Sequence, residues 1–380
     1  MNIIIASEIF PPDSGGPATF VVNLIPQLQK AGHAVKLITY GDLEIKIKEY
    51  SFEVIRIPRK NLAVKFFKYT LKLLKSAKDA DVIFCQGPIA SGLPALIVKK
   101  LTGKKVIMKI VGDVAWERAR NKFGIKETVD EYQGEKYNWQ INLSNKLKSF
   151  IVKRVDQIIT PSNYLKGIVS GWGADTNKIK VIYNSFVLSA IDLTKEECKK
   201  EIGIQGKIIM SIGRLASWKG FATLIELMPE FLKINPEFKL MIVGSGPEEE
   251  NLRKKIINLK LNDKIIMTGN IDHQELGKYY QAADFWILNT AYEGLSHVLL
   301  ETLAYKLPVA VTNIGGNPEV IQDQVNGLLF EYDNKEEIAA AIKYLEENPD
   351  QCQKFIDESQ RTLEKFSFSK MVEGYLRLFE

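Results

Sequence analysis

Hydrophobic residues occur along the chain in short runs, and each run is followed by a segment whose apolar positions repeat every three or four residues. The first run is Asn2–Ala6, and a loop rich in proline and glycine separates it from a segment of helical spacing, Ala18–Ala31. Gly32 ends that segment, and a second apolar run, Ala34–Thr39, follows. This order of strand, loop, helix, glycine and strand predicts a βαβ unit.

The same alternation continues through the first half of the chain and starts again in the second half. Further strands are predicted in the first half at Val54–Ile57, Val82–Cys85, Lys105–Ile110, Gln157–Thr160 and Lys180–Tyr183. Strands are predicted in the second half at Lys207–Ile212, Lys239–Val243, Lys264–Thr268, Asp284–Leu288 and Val309–Thr312. Helices are predicted at Phe221–Ile234, Pro247–Leu259, Gln274–Ala282, Val298–Tyr305 and Phe368–Phe379. Apolar strands that alternate with helices indicate parallel sheets covered on both faces.

The length of the chain is enough for two domains. It has 380 residues, and one domain takes about 100–200 residues. Because the alternation starts again in the second half, we predict an α/β fold with one domain at 1–188 and another at 189–366. Ligands bind such sheets beyond the carboxyl ends of the strands, so the loops that follow the strands are the places to look for chemistry.

The composition is ordinary for a soluble globular protein, with 46% hydrophobic and 26% charged residues. Its cysteines, Cys85, Cys198 and Cys352, are far apart, which argues against a disulfide framework or a zinc site and favours a reducing compartment. The start lacks the basic segment of a secretory signal, and no run approaches the roughly 20 apolar residues that a membrane span needs. We therefore expect a cytoplasmic protein.

Charge is divided unevenly between the two halves. Residues 1–188 hold 29 lysines and arginines against 16 aspartates and glutamates, whereas residues 189–380 hold 22 against 30. A basic half suggests an anionic partner.

Part of the basic charge forms a stripe of helical spacing among phenylalanines and leucines: Lys65, Lys68, Lys72 and Lys75. Such a helix can lie on an anionic membrane, or it can be a solvated face over a packed core. Peripheral attachment to the inner face of the plasma membrane is therefore an expectation. No nucleic-acid-binding motif accompanies the basic surface, so we expect no nucleic-acid partner.

Two cations flank the loop that follows the predicted strand Lys207–Ile212. Arg214 and Lys219 stand within Gly213–Gly220, which leads into a helix. A diphosphate needs positive charge and backbone donors, and a helix N-terminus supplies the donors. A pair of solvated surface cations is the alternative interpretation. Two more loops of the same sheet, at 244–247 and 313–319, contain glycines that allow tight turns or close approach to a ligand.

Two glutamates follow the predicted strand Asp284–Leu288. Glu293 lies in the loop, and Glu301 lies eight residues later, inside an otherwise apolar helix. A carboxylate in that position needs a partner. A ribose diol could donate two hydrogen bonds to it, or a cation could form a salt bridge. The start of the helix also offers backbone N–H groups at its positive end, which suit a departing diphosphate.

Taken together, these motifs resemble the retaining GT-B glycosyltransferases of glycosyltransferase family four. The matching residues are Gly213-Arg214-Leu215, Lys219-Gly220, Gly244 with Gly246-Pro247, Glu293 with Glu301, Pro308-Val309, Gly315-Gly316 with Pro318-Glu319, and Asn326-Gly327-Leu328-Leu329. The Gly15-Gly16 loop, Gly32-His33 and the closing helix extend the resemblance over the whole chain. It implies two Rossmann-like domains facing across a cleft. The N-terminal domain would take the acceptor and the C-terminal domain the donor, with a helix at 367–380 returning to the N-terminal domain.

The resemblance also implies roles for individual residues. Arg214 and Lys219 would neutralise the leaving diphosphate, and Glu301 would hold the ribose hydroxyls. Glu293 would contact the donor sugar near the reacting centre, and Gly16 would bring the start of the first helix towards phosphate and acceptor. The implied donor site comprises Gly16, Gly213, Arg214, Lys219, Gly244, Gly246, Asn270, Glu293, Gly294, Leu295, Ser296, His297, Val298 and Glu301.

One position departs from the family pattern. Many members have a histidine after the strand that matches Lys105–Ile110, whereas Val111 stands there in this chain and has no acid–base capacity. Asp113 is the nearest polar substitute, so it joins Glu293, Arg214 and Lys219 as a catalytic candidate. The variant resembles transferases of bacterial cell-surface polysaccharides.

The resemblance implies retaining transfer of a sugar from a UDP- or GDP-sugar to a lipid-linked or cell-surface glycan, without a metal or other cofactor. Asp79 and Asp81 are similar to the acidic motif of metal-dependent transferases, but they precede a strand, at the edge away from ligand sites. The three histidines, His33, His273 and His297, are too scattered to form a metal-ligand set. Two alternatives share the fold: a non-catalytic GT-B donor-binding subunit and a GT-B sugar-nucleotide epimerase.

Overall fold

Two parallel β-sheets, one in each half of the chain, organise the structure and confirm the predicted α/β class. The computed structural model describes residues 1–13, 15–41, 50–59, 61–189 and 191–380. The first unit consists of Met1–Tyr183 and Ser369–Glu380, and the second unit consists of Asn184–Phe368. In both sheets the pairs between named strands are parallel.

The sheet of the first unit has the strand order β3-β2-β1-β4-β5-β6-β7. Its strands are β1 Asn2–Ala6, β2 Ala34–Tyr40, β3 Glu53–Ile57, β4 Val82–Gln86, β5 Lys105–Lys109, β6 Gln157–Thr160 and β7 Ile179–Val181. Each lies within two residues of its predicted position. The central strand β4 is buried along its whole length, as expected for a parallel sheet covered on both faces.

Helices connect these strands. They are α1 Gly16–Lys30, α2 Leu62–Ser76, α3 Leu93–Thr102, α4 Val114–Phe123, α5 Val129–Gly134, α6 Trp139–Val152 and α7 Asn163–Gly171. The helix α2 carries the predicted lysine stripe, and it begins where the side chain of Asn61 accepts a hydrogen bond from the backbone N–H of Ala63 at 3.0 Å. The helices α4 and α6 fill the connection between β5 and β6 and pack against each other.

The sheet of the second unit has the strand order β10-β9-β8-β11-β12-β13. Its strands are β8 Lys207–Ile212, β9 Phe238–Val243, β10 Ile265–Gly269, β11 Phe285–Leu288, β12 Val309–Thr312 and β13 Leu328–Phe330. Five were predicted. The sixth strand, β13, was not predicted, because three residues are too few to show a period.

The helices of the second unit cover this sheet. They are α8 Lys195–Glu201, α9 Phe221–Glu226, α10 Met228–Ile234, α11 Glu249–Asn258, α12 His273–Ala282, α13 His297–Ala304, α14 Lys335–Glu347 and α15 Pro349–Leu363. A further helix, α16 Phe368–Leu376, follows α15. The single helix predicted at Phe221–Ile234 is wrong, since it is divided at Leu227. Pro229 explains the break, because proline lacks an N–H and its ring excludes the carbonyl of the residue four positions earlier.

The closing helix α16 belongs to the first unit except for its first residue. Tyr375 packs against Phe20 of α1, with ring centroids 5.0 Å apart. None of the helices in the described residues combines the length and the apolar character that crossing a lipid bilayer requires.

Candidate functional site

The candidate site lies at the carboxyl edge of the second sheet, where the strand order reverses between β8 and β11. Connections from these two neighbouring strands run in opposite directions, and open α/β sheets bind ligands in the crevice that this leaves. The loops after the two strands touch. Ala291 donates its backbone N–H to the carbonyl of Trp218 at 2.8 Å, and the amide of Asn289 donates to the carbonyl of Gly220 at 3.2 Å. The loop that carries Arg214 and Lys219 (Gly213–Gly220, the cation loop) and the loop that carries Glu293 (Asn289–Ser296, the glutamate loop) are therefore neighbours.

Glycines allow the loops after β8 and β9 to approach each other. Gly244 has a φ of +129°, and a Cβ atom there would overlap the carbonyl oxygen of Gly213. A Cβ on Gly246 would overlap the backbone of Leu215, whose N–H donates to the carbonyl of Ser245 at 2.9 Å. These glycines hold the cation loop in place through backbone contact.

A second glycine pair supports the glutamate loop. Gly315 has a φ of +61°, and a Cβ on it would overlap the carbonyl oxygen of Glu293. Gly316 donates its N–H to that same carbonyl at 2.9 Å, and a Cβ on Gly316 would overlap the carbonyl of Gly294. The four loops after β8, β9, β11 and β12 thus meet at one edge.

Lys219 and Glu293 form an ion pair across the two central loops. Their side chains are only 16% and 14% exposed. Arg214, in contrast, is exposed and makes no ion pair with another described residue. The loop Gly213–Gly220 therefore carries one guanidinium without an ion-pair partner among the described residues and one ammonium that already has a carboxylate partner.

The carboxylate of Glu301 has two protein partners. Tyr280 donates its hydroxyl to Oε2 at 3.0 Å, and Nε2 of His273 lies 3.6 Å from Oε1. Tyr280 is itself held by stacking on Tyr305, with ring centroids 4.8 Å apart. The carboxylate thus has the partners that its position requires, and its contact with His273 is a salt bridge only while that histidine is protonated. Neither Tyr280 nor His273 was among the predicted site residues, because nothing in their spacing links α12 to α13.

The Glu301 carboxylate raises the pKa of His273, and this pair should make stability depend on pH. A raised pKa in the folded state contributes stability that is fully present below the unfolded pKa of about 6.5 and is lost as pH rises through the folded value. We expect wild type to exceed His273→Gln in unfolding free energy by up to about 1 kcal/mol at pH 6, since the histidine is half exposed. Denaturant unfolding at pH 6 and pH 9 measures the difference, which should vanish at pH 9. The same difference at both pH values, or its persistence in a Glu301→Gln background, would contradict this assignment.

The other predicted donor residues lie at the start of α13 or at the rim of the loops. Ser296 caps the helix by accepting from the N–H of Leu299 at 3.2 Å, and Leu295 accepts from the side chain of Asn184 at 3.2 Å. The Nδ1 atom of His297 lies 2.9 Å from the carbonyl of Ser185. The remaining two, Val298 and Asn270, lie in the first turn of α13 and directly after β10.

In the first unit, Gly16 opens α1 after the β1 loop, and the preceding Gly15 has a φ of +144°. The expected catalytic role of Asp113 is not supported. Its side chain is fully buried, with Oδ1 accepting from the N–H groups of Ala115 and Trp116 and Oδ2 paired with Lys148 Nζ at 2.6 Å. Both oxygens are therefore committed to holding α4 and α6, and neither is accessible to a substrate.

The acidic motif at Asp79 and Asp81 lies before β4. Asp81 accepts the backbone N–H of Asn2 at 2.7 Å, and the carbonyl of Asp79 accepts from the side chain of the same asparagine at 2.8 Å. Among the described residues, no group of three or more histidines, cysteines and carboxylates is arranged to hold a metal ion.

Two family models match the chain. Glycosyltransferase Family 4 matches residues 14–189, and Glycosyl transferases group 1 matches residues 194–362. The chain is 25% identical over 402 aligned residues to alpha-monoglucosyldiacylglycerol synthase of Streptococcus pneumoniae, covering 99% of this chain and 85% of the relative. It is also 25% identical to N-acetylgalactosamine-N,N'-diacetylbacillosaminyl-diphospho-undecaprenol 4-alpha-N-acetylgalactosaminyltransferase of Campylobacter jejuni, covering 96% and 95%.

The fold is also found in solved structures. Anabaena HepE in complex with UDP-glucose superposes with a TM-score of 0.81 at 16% identity, covering 100% of this chain and 99% of that protein. At such low identity the likeness concerns the fold alone, which is the GT-B fold with two Rossmann-like domains.

Proposed function

Because the chain belongs to the glycosyltransferases of family four and group 1, we propose that it moves a sugar from UDP or GDP to an acceptor hydroxyl with retention of anomeric configuration. That a nucleotide sugar is the donor follows from the family. The observation that supports the finer proposal most is the ion pair of Lys219 and Glu293 at the reversal point of the second sheet. The exposed Arg214 lies on the same loop as Lys219.

The diphosphate would lie between the cation loop and the start of α13. Arg214 is exposed and unpaired among the described residues, so its planar guanidinium can bind phosphate oxygens without breaking an existing ion pair. Lys219 would exchange its bond to Glu293 for a bond to phosphate. The backbone N–H groups at the start of α13 add the positive end of a helix dipole.

Glu301 would accept hydrogen bonds from the ribose hydroxyls while Tyr280 and His273 fix its orientation. Glu293, released from Lys219, would face the sugar. In the reaction the bond from the anomeric carbon to the diphosphate oxygen breaks, and a bond from the acceptor oxygen to the same carbon forms on the same face. The acceptor proton goes to the leaving phosphate, so no basic side chain is needed for that step.

Names of relatives support a lipid-linked or cell-surface glycan as acceptor. One relative is named for a diacylglycerol glycolipid and another for a diphospho-undecaprenol glycan. The solved complex of HepE with UDP-glucose supports a UDP-sugar more directly than a GDP-sugar.

Turnover should not require a metal ion. We expect the purified chain to hydrolyse its donor slowly and to transfer the sugar to an acceptor at the same rate with and without EDTA, because Arg214, Lys219 and the helix dipole supply the positive charge. Product analysis by NMR, which also reports the anomeric configuration, makes the measurement. Loss of turnover in EDTA with recovery in manganese or magnesium would contradict metal independence. Nucleotide binding without turnover would indicate a donor-binding subunit, and a free epimerised sugar would indicate an epimerase.

We also propose peripheral attachment to anionic membranes through α2. On its outward side Phe67 is 67% exposed, and Leu71 is exposed beside it. Lys68 and Lys72 are also exposed and form no ion pair with another described residue. Exposed apolar side chains between unpaired lysines suit an interface of acyl chains and anionic headgroups.

Vesicle binding tests this attachment. Sedimentation with phosphatidylglycerol vesicles should be strong and salt-sensitive, and sedimentation with phosphatidylcholine vesicles should be weak. Lys68→Ser/Lys72→Ser should lose about 2 kcal/mol of binding, since each basic residue near such a surface adds about 1 kcal/mol. The control Lys354→Ser/Lys365→Ser removes two exposed lysines of the second unit and should bind like wild type. Equal partitioning to both vesicle types would end the proposal.

A further inference from the structure

A groove separates α4 from the first two turns of α6 in the first unit. Its volume is about 230 Å³. Its lining includes Ala115, Arg118, Lys122 and Phe123 of α4 and Trp139 and Leu143 of α6. Two of these residues are cations and none is acidic, and the apolar ones include two aromatic rings. The groove therefore joins positive charge to an apolar surface.

The helix α4, which forms one wall of the groove, starts at the ligand-binding edge of its sheet. α4 begins five residues beyond the end of β5, so its first turn follows the carboxyl end of a parallel strand. Ligands of open α/β sheets bind beyond these ends. Of the residues of α4 that line the groove, Ala115 therefore lies nearest the edge of the first sheet where an acceptor would bind.

Several large apolar side chains of the groove are exposed to solvent, which is energetically unfavourable unless a ligand covers them. Trp139 is 72% exposed and Leu143 is exposed beside it, one turn later on α6. Phe123 is exposed at the end of α4. Large apolar side chains grouped in this way commonly mark a binding surface. The indole adds a polar N–H to an apolar body, which suits contact with an amphiphile.

The cations of the groove are available. Arg118 and Lys122 are exposed, lie one turn apart on the same side of α4, and form no ion pair with another described residue. At this spacing both can reach a single phosphate group. The position of α4 relative to α6 is also fixed, because the buried ion pair of Asp113 and Lys148 joins the start of α4 to α6.

We infer that this groove binds the phosphorylated end of a lipid carrier. The phosphate would contact Arg118 and Lys122, and the first part of the lipid's hydrocarbon chain would lie along Trp139 and Leu143. This inference rests on the proposed function, in which the bound lipid carries the acceptor sugar. A small groove with two unpaired cations at one side fits one phosphate with a single chain better than it fits the face of a second protein. It is separate from α2, which the membrane proposal uses.

The fluorescence of Trp139 can be used to follow ligand binding at this groove. The other tryptophans of the chain, Trp116, Trp172, Trp218 and Trp286, are all buried. Farnesyl phosphate, added below the concentration at which it aggregates, should shift the fluorescence of Trp139 to shorter wavelength. Farnesol and inorganic phosphate, each added alone, should bind at least about tenfold more weakly. Farnesol lacks the phosphate that the two cations bind, and inorganic phosphate lacks the hydrocarbon chain. Trp139→Phe should remove the fluorescence change while calorimetry still detects binding.

Matched variants test the two halves of the groove. Arg118→Ser/Lys122→Ser should weaken farnesyl phosphate binding by roughly tenfold or more, the loss expected for charged hydrogen bonds at an exposed site. Leu143→Ser should also weaken farnesyl phosphate binding, because it removes an apolar contact to the farnesyl chain. The control Lys254→Ser/Ile257→Ser removes an exposed lysine and an exposed isoleucine from α11 of the second unit and should leave binding unchanged. Unchanged affinity in Arg118→Ser/Lys122→Ser, or equal binding of farnesol, would overturn the inference.

Donor binding, measured on the same samples, separates this inference from the proposed function. If UDP or GDP binds and the donor is hydrolysed, but farnesyl phosphate leaves Trp139 unchanged, the groove assignment is wrong and the function stands. If farnesyl phosphate binds in the groove but neither nucleotide binds, the proposed function fails. Should the groove variants lose affinity only for phosphatidylglycerol vesicles, the groove is a bilayer contact and the inference is overturned.

Discussion

Replacing Lys148 by methionine should destabilise the first unit by about 3–5 kcal/mol, the loss expected when one partner of a buried ion pair is removed. The side chains of Lys148 and Asp113 are 3% and 0% exposed, and Nζ lies 2.6 Å from Oδ2. Gln133 is the only other side chain seen donating to that oxygen among the described residues, at 3.1 Å. The variant leaves a carboxylate in the interior without its counter-charge.

Thermal unfolding measures this loss. A unit of this size should lose on the order of 10 °C in Tm, since 1 kcal/mol corresponds to about 2–4 °C. Lys146→Met, two residues earlier on the exposed side of α6, is the matched control and should change Tm little. The double variant Lys148→Met/Asp113→Asn should recover part of the loss because it removes the unpaired charge. A Lys148→Met protein as stable as wild type would show that the pair contributes nothing to the fold.

Glu293→Gln and Glu301→Gln should damage catalysis in different ways. Glu293 lies where positive charge develops on the sugar as the diphosphate departs, so its carboxylate helps the transition state more than the ground state. We expect kcat of Glu293→Gln to fall about 100-fold to 1,000-fold. Its nucleotide affinity should be unchanged or tighter, because Lys219 no longer has a carboxylate partner.

Glu301, by contrast, would bind the ribose, which does not change during the reaction. Replacing Glu301 should weaken binding of the donor in the ground state and in the transition state alike, so KM should rise more than kcat falls. Steady-state kinetics, together with direct binding of UDP or GDP, separates the two roles. A Glu293→Gln enzyme with full kcat, or a Glu301→Gln enzyme with normal nucleotide affinity, would remove the corresponding role.

Features that depend on neighbouring residues were predictable from the sequence. β1 and β8 begin and end where the apolar runs do, because polar or loop residues bound both runs. The site loops were predictable as well, since parallel strands place their carboxyl ends on one edge of a sheet. The spacing of Glu293 and Glu301 also indicated that one lies in a loop and the other in a helix.

Features that depend on distant residues were not predictable in the same way. Asp113 was expected to be catalytic because it is the nearest polar residue to Val111. Its partner, Lys148, is 35 positions away, and nothing in the sequence connects the two. Tyr280 and His273, which bind the carboxylate of Glu301, were missed because they come from another helix. The pairing of Lys219 with Glu293 spans 74 positions, and both residues had been expected to serve the ligand alone.

The central claim is that the second unit holds the diphosphate of a nucleotide through Arg214 and its neighbouring loops. Calorimetric titration of the full chain with UDP and with GDP, in EDTA, tests it most directly, comparing wild type with Arg214→Ala and with the exposed-lysine control Lys354→Ala. The account predicts that one nucleotide binds wild type and the control equally, and that Arg214→Ala loses about 1.5–3 kcal/mol, the value of a charged hydrogen bond. Failure of both nucleotides to bind, or equal affinity in all three proteins, would contradict it.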